Sequence, residues 1–334
     1  MIDLHVHLDG SLEAEEIIDV ANISNVKLPE YDAKNLRDLL TVKESCTSLG
    51  EYLEKFELPL KVLQTDEAIE QAVFLLVEKL AKQGLCYAEI RFAPQLHTKM
   101  GFSQRQIVSA AVSGLYKGIN LSGMSAQLIL CCMRGVENHS ENMQTVDLAA
   151  EFLNKGVCAL DLAGNEADYP TECFADLFKN ARKLGIPITI HAGEAAGPES
   201  VKSALKLGAV RIGHGIHSVE NQDLLKELKE KKIILETCFS SNLQTKAVAN
   251  PDSYPIAELI DFGIMVTINT DNMSVSDTTL KKEYKLIQKH FSFDKDTLKK
   301  LALNALSGAF ISEQAKRLLF EHIKNNFDVW LSRM

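Results

Sequence analysis

At 334 residues, 46% of them hydrophobic, the chain has ample material for a buried core, and its length allows one large domain or two medium ones. A net charge of -9 with no basic run argues against a general nucleic-acid binder. No stretch of about 18 apolar residues occurs, so a membrane span is not expected either. The opening "MIDLHV" has neither a basic n-region nor an apolar h-region, and a cytoplasmic protein is expected. The seven cysteines are odd in number and scattered. Six of them (Cys86, Cys131, Cys132, Cys158, Cys173 and Cys238) lie in or near apolar segments, which fits reduced, buried thiols.

The first apolar run is "IDLHV" (2–6). His5 and His7 stand two apart, so on a strand they share one face and aim at one point. Such a pair is either two ordinarily bonded core histidines or a chelate for one transition metal. The segment from Ser11 to about Thr65 is too long for one connection and is read as a helical insertion. The amphipathic helix "EAIEQAVFLLVEKLAKQG" follows. Then come the runs "CYAEIRF" (86–92), "AQLILCC" (126–132), "VCALDLA" (157–163), "IPITIHA" (186–192), "VRIGHG" (210–215), "IILETC" (233–238) and "IMVTINT" (264–270). They are short, and several are rich in Val, Ile and Leu, as strands buried on both faces of a parallel sheet are. Most are separated by helical patterns such as "TECFADLFKNARKLG", and Gly84, Gly156, Gly185 and Gly208 sit where helices would end. Eight strands alternating with helices predict an α/β fold, a closed (β/α)8 TIM barrel, with a doubly wound sheet as the alternative. Without a low-complexity linker or a repeat, one domain over residues 1–334 is expected.

Polar residues gather at the C-terminal ends of these runs: His5 and His7 on the first, Asp161 and Gly164 on the fourth, His191 to Glu194 ("HAGE") on the fifth, His214 on the sixth, Asp271 and Asn272 on the eighth. In a barrel those ends converge on one mouth, where active sites are built. His5, His7, His191 and Asp271 are suitable zinc ligands that leave a position for water, whose pKa the ion brings to about 7. His214 is either a ligand of a second metal or a base that orients hydroxide. "VCALDLA" holds no lysine that could bridge two metals, so one zinc per chain with His214 as base is expected. Glu194 is either an acid in the first turn of a helix or a proton donor beside the metal.

In order along the chain, "HVHLDGSL", "YAEIRFAP", "CCMRG", "DLAGNE", "HAGE", "RIGHG", "ETCFSSN", "TINTDN" and "NALSGAFISEQAKRLL" resemble the adenosine deaminases of the metal-dependent amidohydrolase superfamily. The resemblance implies hydrolytic deamination of adenosine and 2′-deoxyadenosine, in purine salvage, with a purine nucleoside as the small-molecule partner. It implies zinc held by His5, His7, His191 and Asp271, and catalysis by Glu194, His214 and Asp271. Glu194 would protonate N1 while hydroxide attacks C6, and Asp271 would also accept a hydrogen bond from the attacking water. Substrate would meet His7, Asp9 (ribose hydroxyls), Gly164 (its N–H to N3) and Asn272. Leu53 and Phe56 in "EYLEKFELPL" match an apolar lid, and equally match plain helix packing.

One departure stands out. Where many members of that family carry a second aspartate and a proline, this chain reads "NTDNMS". Asn272 would face N7, an acceptor only, and an amide donates there without any pKa shift. Competing readings are a deaminase of free adenine or of an N6-modified purine nucleotide, a two-metal hydrolase of a cyclic amide or phosphoester, and a non-catalytic zinc or nucleoside binder. The PCxxC of cytidine-type zinc deaminases is absent from the sequence.

Overall fold

The computed structural model describes residues 1–43 and 46–332. Among the described residues there are eight parallel strands: β1 (Ile2–His7), β2 (Tyr87–Phe92), β3 (Ser125–Met133), β4 (Val157–Ala163), β5 (Thr189–Ala192), β6 (Arg211–His214), β7 (Ile234–Thr237) and β8 (Met265–Ile268). They pair in sequence order as two four-stranded sheets, β1 to β4 and β5 to β8. Single parallel bridges join the two sheets at both edges: Leu160 with Ile188, and Val6 with Asp271. At the second edge Asp271 N–H donates to the His5 carbonyl (2.8 Å) and His7 N–H to the Asp271 carbonyl (2.7 Å). The fold is the expected (β/α)8 barrel.

The strands are shorter than the apolar runs, and the reasons are local. Pro187 has no N–H for a ladder, and the N–H of Ile186 before it is spent on the Ala181 carbonyl of the preceding helix. Gly215 takes a left-handed φ of +68° and ends β6. Cys238 already starts the short helix Phe239–Gln244.

The segment between β1 and the helix Asp66–Lys82 is a helical insertion, with helices Ala14–Ile23, Ala33–Leu40, Leu49–Leu53 and Glu57–Val62 among the described residues. It is tied to the loop after β8. Val42 N–H donates to the Val275 carbonyl (2.9 Å), and the Tyr52 hydroxyl meets Ser276 Oγ (2.7 Å).

The cysteine expectation needs one correction. Cys131, Cys132, Cys158 and Cys238 are buried and Cys86 is half-buried, but Cys173 is exposed. It lies in the 3-10 turn Thr171–Phe174, where Thr171 and Phe174, three apart, face inward and carry Cys173 to the outside. The helix proper begins only at Ala175.

Beneath the mouth the barrel interior is charged. Arg91 donates to Asp161 (2.9 Å), to Glu236 (2.8 Å) and to the Leu4 carbonyl (2.6 Å). Arg211 donates to Glu236 (2.6 Å) and to the Gly308 carbonyl (2.8 Å), and pairs with Glu89 (2.6 Å). All five side chains are within 1% of full burial. Breaking such a set by removing one partner leaves charge buried without compensation. We expect Arg211→Met, which strips a cation from Glu89 and Glu236 together, to lower the unfolding free energy by about 3–5 kcal/mol. A urea melt of the purified variant against the parent checks this, and an unchanged midpoint would contradict it.

Candidate active site

His5 and His7 alternate inward on β1, and His191 does so on β5, directly across the mouth. The His7 Nε2 atom lies 3.3 Å from His5 Nε2 and 3.2 Å from His191 Nε2. Asp271 Oδ1 lies 3.5 Å from His5 Nε2 and 3.4 Å from His7 Nε2.

Two of these three rings have their protons held on the far nitrogen, away from these contacts. His5 Nδ1 faces Glu236 Oε2 at 2.9 Å, and His191 Nδ1 faces Asp161 at 3.0 Å. Those carboxylates hold the ring protons on Nδ1 and leave the Nε2 lone pairs of His5 and His191 turned toward His7 Nε2. Lone pairs gathered around a carboxylate oxygen call for a cation at the centre. Spacings of 3.2–3.5 Å match the edge of a tetrahedron whose centre lies about 2.0–2.1 Å from each corner, the zinc–nitrogen distance. The donor set therefore fits the ion that the resemblance implies.

The charge states agree. Burial alone would raise Asp271, but the imidazoles of His5, His214 and His7 hold it well below the carboxylate range. Burial would likewise raise Glu236 and Asp161. Arg91 and Arg211 outweigh it at Glu236, and His191 and Arg91 at Asp161, so both stay ionised. Burial pushes His7 well below its usual value, so its imidazole is neutral and ready to ligate near neutral pH.

A second grouping, His214 with Cys238 and Asp271, shares the aspartate. Burial raises the Cys238 thiol well above its usual value, and its Sγ faces the Glu236 carbonyl at 3.5 Å, so it stays protonated and is a poor ligand. His214 is fixed otherwise. The Asn242 amide donates to its Nδ1 (3.0 Å) and to Glu194 Oε1 (3.3 Å), while Tyr254 OH donates to the Asn242 carbonyl oxygen (3.2 Å). The His214 proton then sits on Nε2, 3.5 Å from Glu194 Oε2. In this tautomer His214 offers a donor toward the site.

His214 (φ +63°) and Asp271 (φ +62°) are left-handed without being glycine, a strained geometry typical of functional turns. Glycines make room for the ligands. A Cβ on Gly213 would stand 3.1 Å from His5 Cε1 and 3.3 Å from His191 Cγ.

One cavity of about 210 Å³ touches His7, Asp9, Gly164, His191, Glu194, His214, Asp271 and Asn272 together. Buried His5 lies behind it. Its outer wall is apolar: Leu49, Tyr52, Leu53, Phe56 and Leu60 from the insertion. Among the described residues no lysine or arginine lines it. Asp9 lies with Oδ1 3.2 Å from His97 Nε2. Asn272 is partly committed, since its NH2 donates to Asp271 Oδ1 (2.7 Å) and leaves one N–H over, while its oxygen has no protein partner.

Sequence reading missed Glu236, Arg91, Arg211, His97, Asn242 and Glu166. The usable signal was a single charge inside otherwise apolar runs, as with Glu236 in "IILETC" and Arg91 in "CYAEIRF".

The sequence profile described as adenosine deaminase matches residues 1–326. An adenosine deaminase of Haemophilus ducreyi is 46% identical over 331 residues, 98% of this chain and 96% of the relative. Among solved structures, an adenine deaminase from Arthrobacter aurescens superposes with a TM-score of 0.89 at 25% identity, covering 98% of each chain. An arabidopsis N6-mAMP deaminase superposes with a TM-score of 0.85 at 25% identity, covering 97% of each.

We expect about one equivalent of divalent metal per chain, lost in His5→Ala and His191→Ala and kept in His214→Ala. Elemental analysis of the desalted proteins decides this. Two equivalents in the parent, or metal loss in a folded His214→Ala, would overturn the assignment.

Proposed function

The chain belongs to the adenosine deaminase family, and we propose that its cavity deaminates adenosine and 2′-deoxyadenosine on a single zinc ion. The enzyme is a hydrolase: water and adenosine give inosine and ammonia. The observation that carries the site assignment is the convergence of three imidazole Nε2 atoms and a carboxylate at ligand spacing, on the cavity that Glu194 and His214 also border.

His5, His7, His191 and Asp271 would hold the zinc, which when bound would supply a nucleophilic water at neutral pH. The protein does the rest. Glu194 gives a proton to N1, which makes C6 electrophilic. The Nε2–H of His214 and the carboxylate of Asp271 orient the attacking water. As the C6–O bond forms, Asp271 takes one water proton and passes it to the amine; the C6–N6 bond breaks, ammonia leaves, and the remaining hydroxyl proton returns to Glu194 as C6 becomes a carbonyl. The Gly164 N–H meets N3, and Asp9 takes the ribose hydroxyls, with His97 behind it.

Nucleoside rather than nucleotide is the better fit. A phosphate needs cationic partners, and the wall facing the insertion offers leucines and a phenylalanine instead. We expect ultraviolet assays to show rapid turnover of adenosine and 2′-deoxyadenosine, and poor turnover of AMP and adenine. AMP consumed as fast as adenosine would point to the nucleotide class. Glu194→Gln should keep metal and bind nucleoside but turn over at least about 100-fold more slowly. Near-normal turnover would remove its proton-transfer role.

Asn272 provides a test of purine reading. If its remaining N–H donates to N7, 7-deazaadenosine leaves that group unpaired, at a cost of about 1–3 kcal/mol. This corresponds to roughly ten- to hundredfold in kcat/KM between adenosine and its 7-deaza analogue. Asn272→Ala should abolish most of that preference. Equal discrimination in the two proteins would reassign Asn272 to holding Asp271.

A further inference from the structure

Glu166 touches no part of the cavity, yet its carboxylate is among the most heavily bonded in the molecule. Oε1 accepts from Gly193 N–H (2.7 Å) and from Ser200 Oγ (2.5 Å). Oε2 accepts from three successive N–H groups, those of Glu194 (3.0 Å), Ala195 (2.8 Å) and Ala196 (3.1 Å). The side chain is buried. It comes from the loop after β4 and reaches the turn between β5 and the helix Pro198–Leu207.

That turn has a particular problem. Gly193 adopts φ +71°, and the four N–H groups of residues 193–196 all face one side, away from any ladder and ahead of the helix. Such a run of donors is an anion-binding concavity. Glu166 fills it from within the protein. The opposite side of the same turn carries the Glu194 side chain into the cavity.

Distances show which contacts set the position of Glu194. At its tip the partners are distant: Thr245 Oγ1 at 3.2 Å, Asn242 Nδ2 at 3.3 Å and His214 Nε2 at 3.5 Å. At its backbone the Glu166 bonds are 2.7–3.1 Å and charge-assisted. The carboxyl is therefore placed from behind, through its peptide. The same support extends to the ligand beside it. Ser200 Oγ meets Thr171 Oγ1 (2.8 Å), and Arg134 Nη2 donates both to Thr171 Oγ1 (3.0 Å) and to the His191 carbonyl (2.6 Å).

We propose that Glu166 is a positioning residue for the deamination step: by capping the four N–H groups of the 193–196 turn it holds the Glu194 carboxyl at the reach of the purine N1. This rests on the proton-transfer role of Glu194 given above. A misplacement of about 1 Å at a reacting group costs on the order of 100-fold in rate. The loss falls on kcat, because the cavity walls that bind nucleoside are untouched.

The experiment compares Glu166→Ala and Glu166→Gln in the parent and in a Glu194→Gln background, with kcat, KM and metal content measured in each. The amide of glutamine, with its NH2 turned to Ser200, still accepts from the residue 194–196 N–H groups and loses only that of Gly193. We expect Glu166→Ala to lower kcat roughly 100-fold, Glu166→Gln roughly tenfold or less, with KM changed by less than about threefold and metal retained. In the Glu194→Gln background the further loss from either substitution should nearly vanish, since the group being positioned is already disabled.

Equal losses in both backgrounds, or a loss that tracks metal content or folded fraction, would make Glu166 scaffold only. If Glu166→Ala does not fold, the same comparison with Glu166→Gln decides. Near-normal turnover by Glu194→Gln itself would remove the role of Glu194 and this proposal with it. A disabled Glu194→Gln beside an unaffected Glu166→Ala would overturn this proposal alone.

Discussion

Three imidazole nitrogens and a carboxylate oxygen are gathered within 4.8 Å of one another, several of them at 3.2–3.5 Å, in a buried pocket. No protein interior tolerates that without a cation or a scaffold that forces it. Here the scaffold is Arg91. By binding Asp161 and Glu236 together it fixes the two carboxylates that hold the Nδ1 protons of His191 and His5. One guanidinium thus orients ligands that come from opposite sides of the barrel. Arg211, next along, balances the rest of the Glu236 charge and ties it to Glu89. A hydrophobic interior would cost less to bury, but it could not choose imidazole tautomers.

Barrel closure and the ligand set are also one construction. The seam between β8 and β1 is made by the backbone of Asp271, the only carboxylate among the ligands, bonded on both sides to the backbones of the two β1 histidines. Asp271 therefore cannot move relative to His5 and His7 unless the seam opens. Its left-handed backbone is the strain accepted for turning the side chain inward at that point. The insertion docks on the following residues, 274–276, so the apolar wall of the cavity is referenced to the same seam.

Much of this was legible in the sequence. The alternation of short apolar runs with helical patterns gives the barrel, and the i, i+2 spacing of His5 and His7 gives their common direction. His191 and Asp271 were legible because they too end apolar runs. What stayed hidden are contacts between distant segments. Asn242 selects the His214 tautomer, yet sits on a helix with nothing local to mark it. Glu166 follows a strand end as any surface acid would, and only the folded turn at 193–196 reveals its burial. Strand lengths were overestimated for a similar reason: hydropathy reports burial, and residues such as Ile186 and Cys238 are buried without belonging to a ladder. Cys173 shows the converse, an apolar neighbourhood in sequence with an outward position set by a 3-10 turn.

Relatives in fold differ in what they deaminate: the neighbours at 25% identity include an adenine deaminase and an N6-mAMP deaminase. Hydrolytic loss of the C6 amine is common to them, although an N6-methyl group also changes the amine that leaves. The substrates named there also differ at the sugar end, which adenine lacks and N6-mAMP carries with a phosphate. In this chain the cavity wall from the insertion is made of leucines, a tyrosine and a phenylalanine, and Asp9 also lines the cavity; on the proposed binding mode these are the groups the sugar end would meet. An apolar wall excludes phosphate by leaving its charge unsolvated, and it rewards a sugar that displaces water. Asp9, which lies 3.2 Å from His97, would repel a phosphate by like charge while accepting hydrogen bonds from hydroxyls. On that proposal both terms would act in the same direction, and selection for the nucleoside would combine an attraction with a repulsion, as effective specificity generally does.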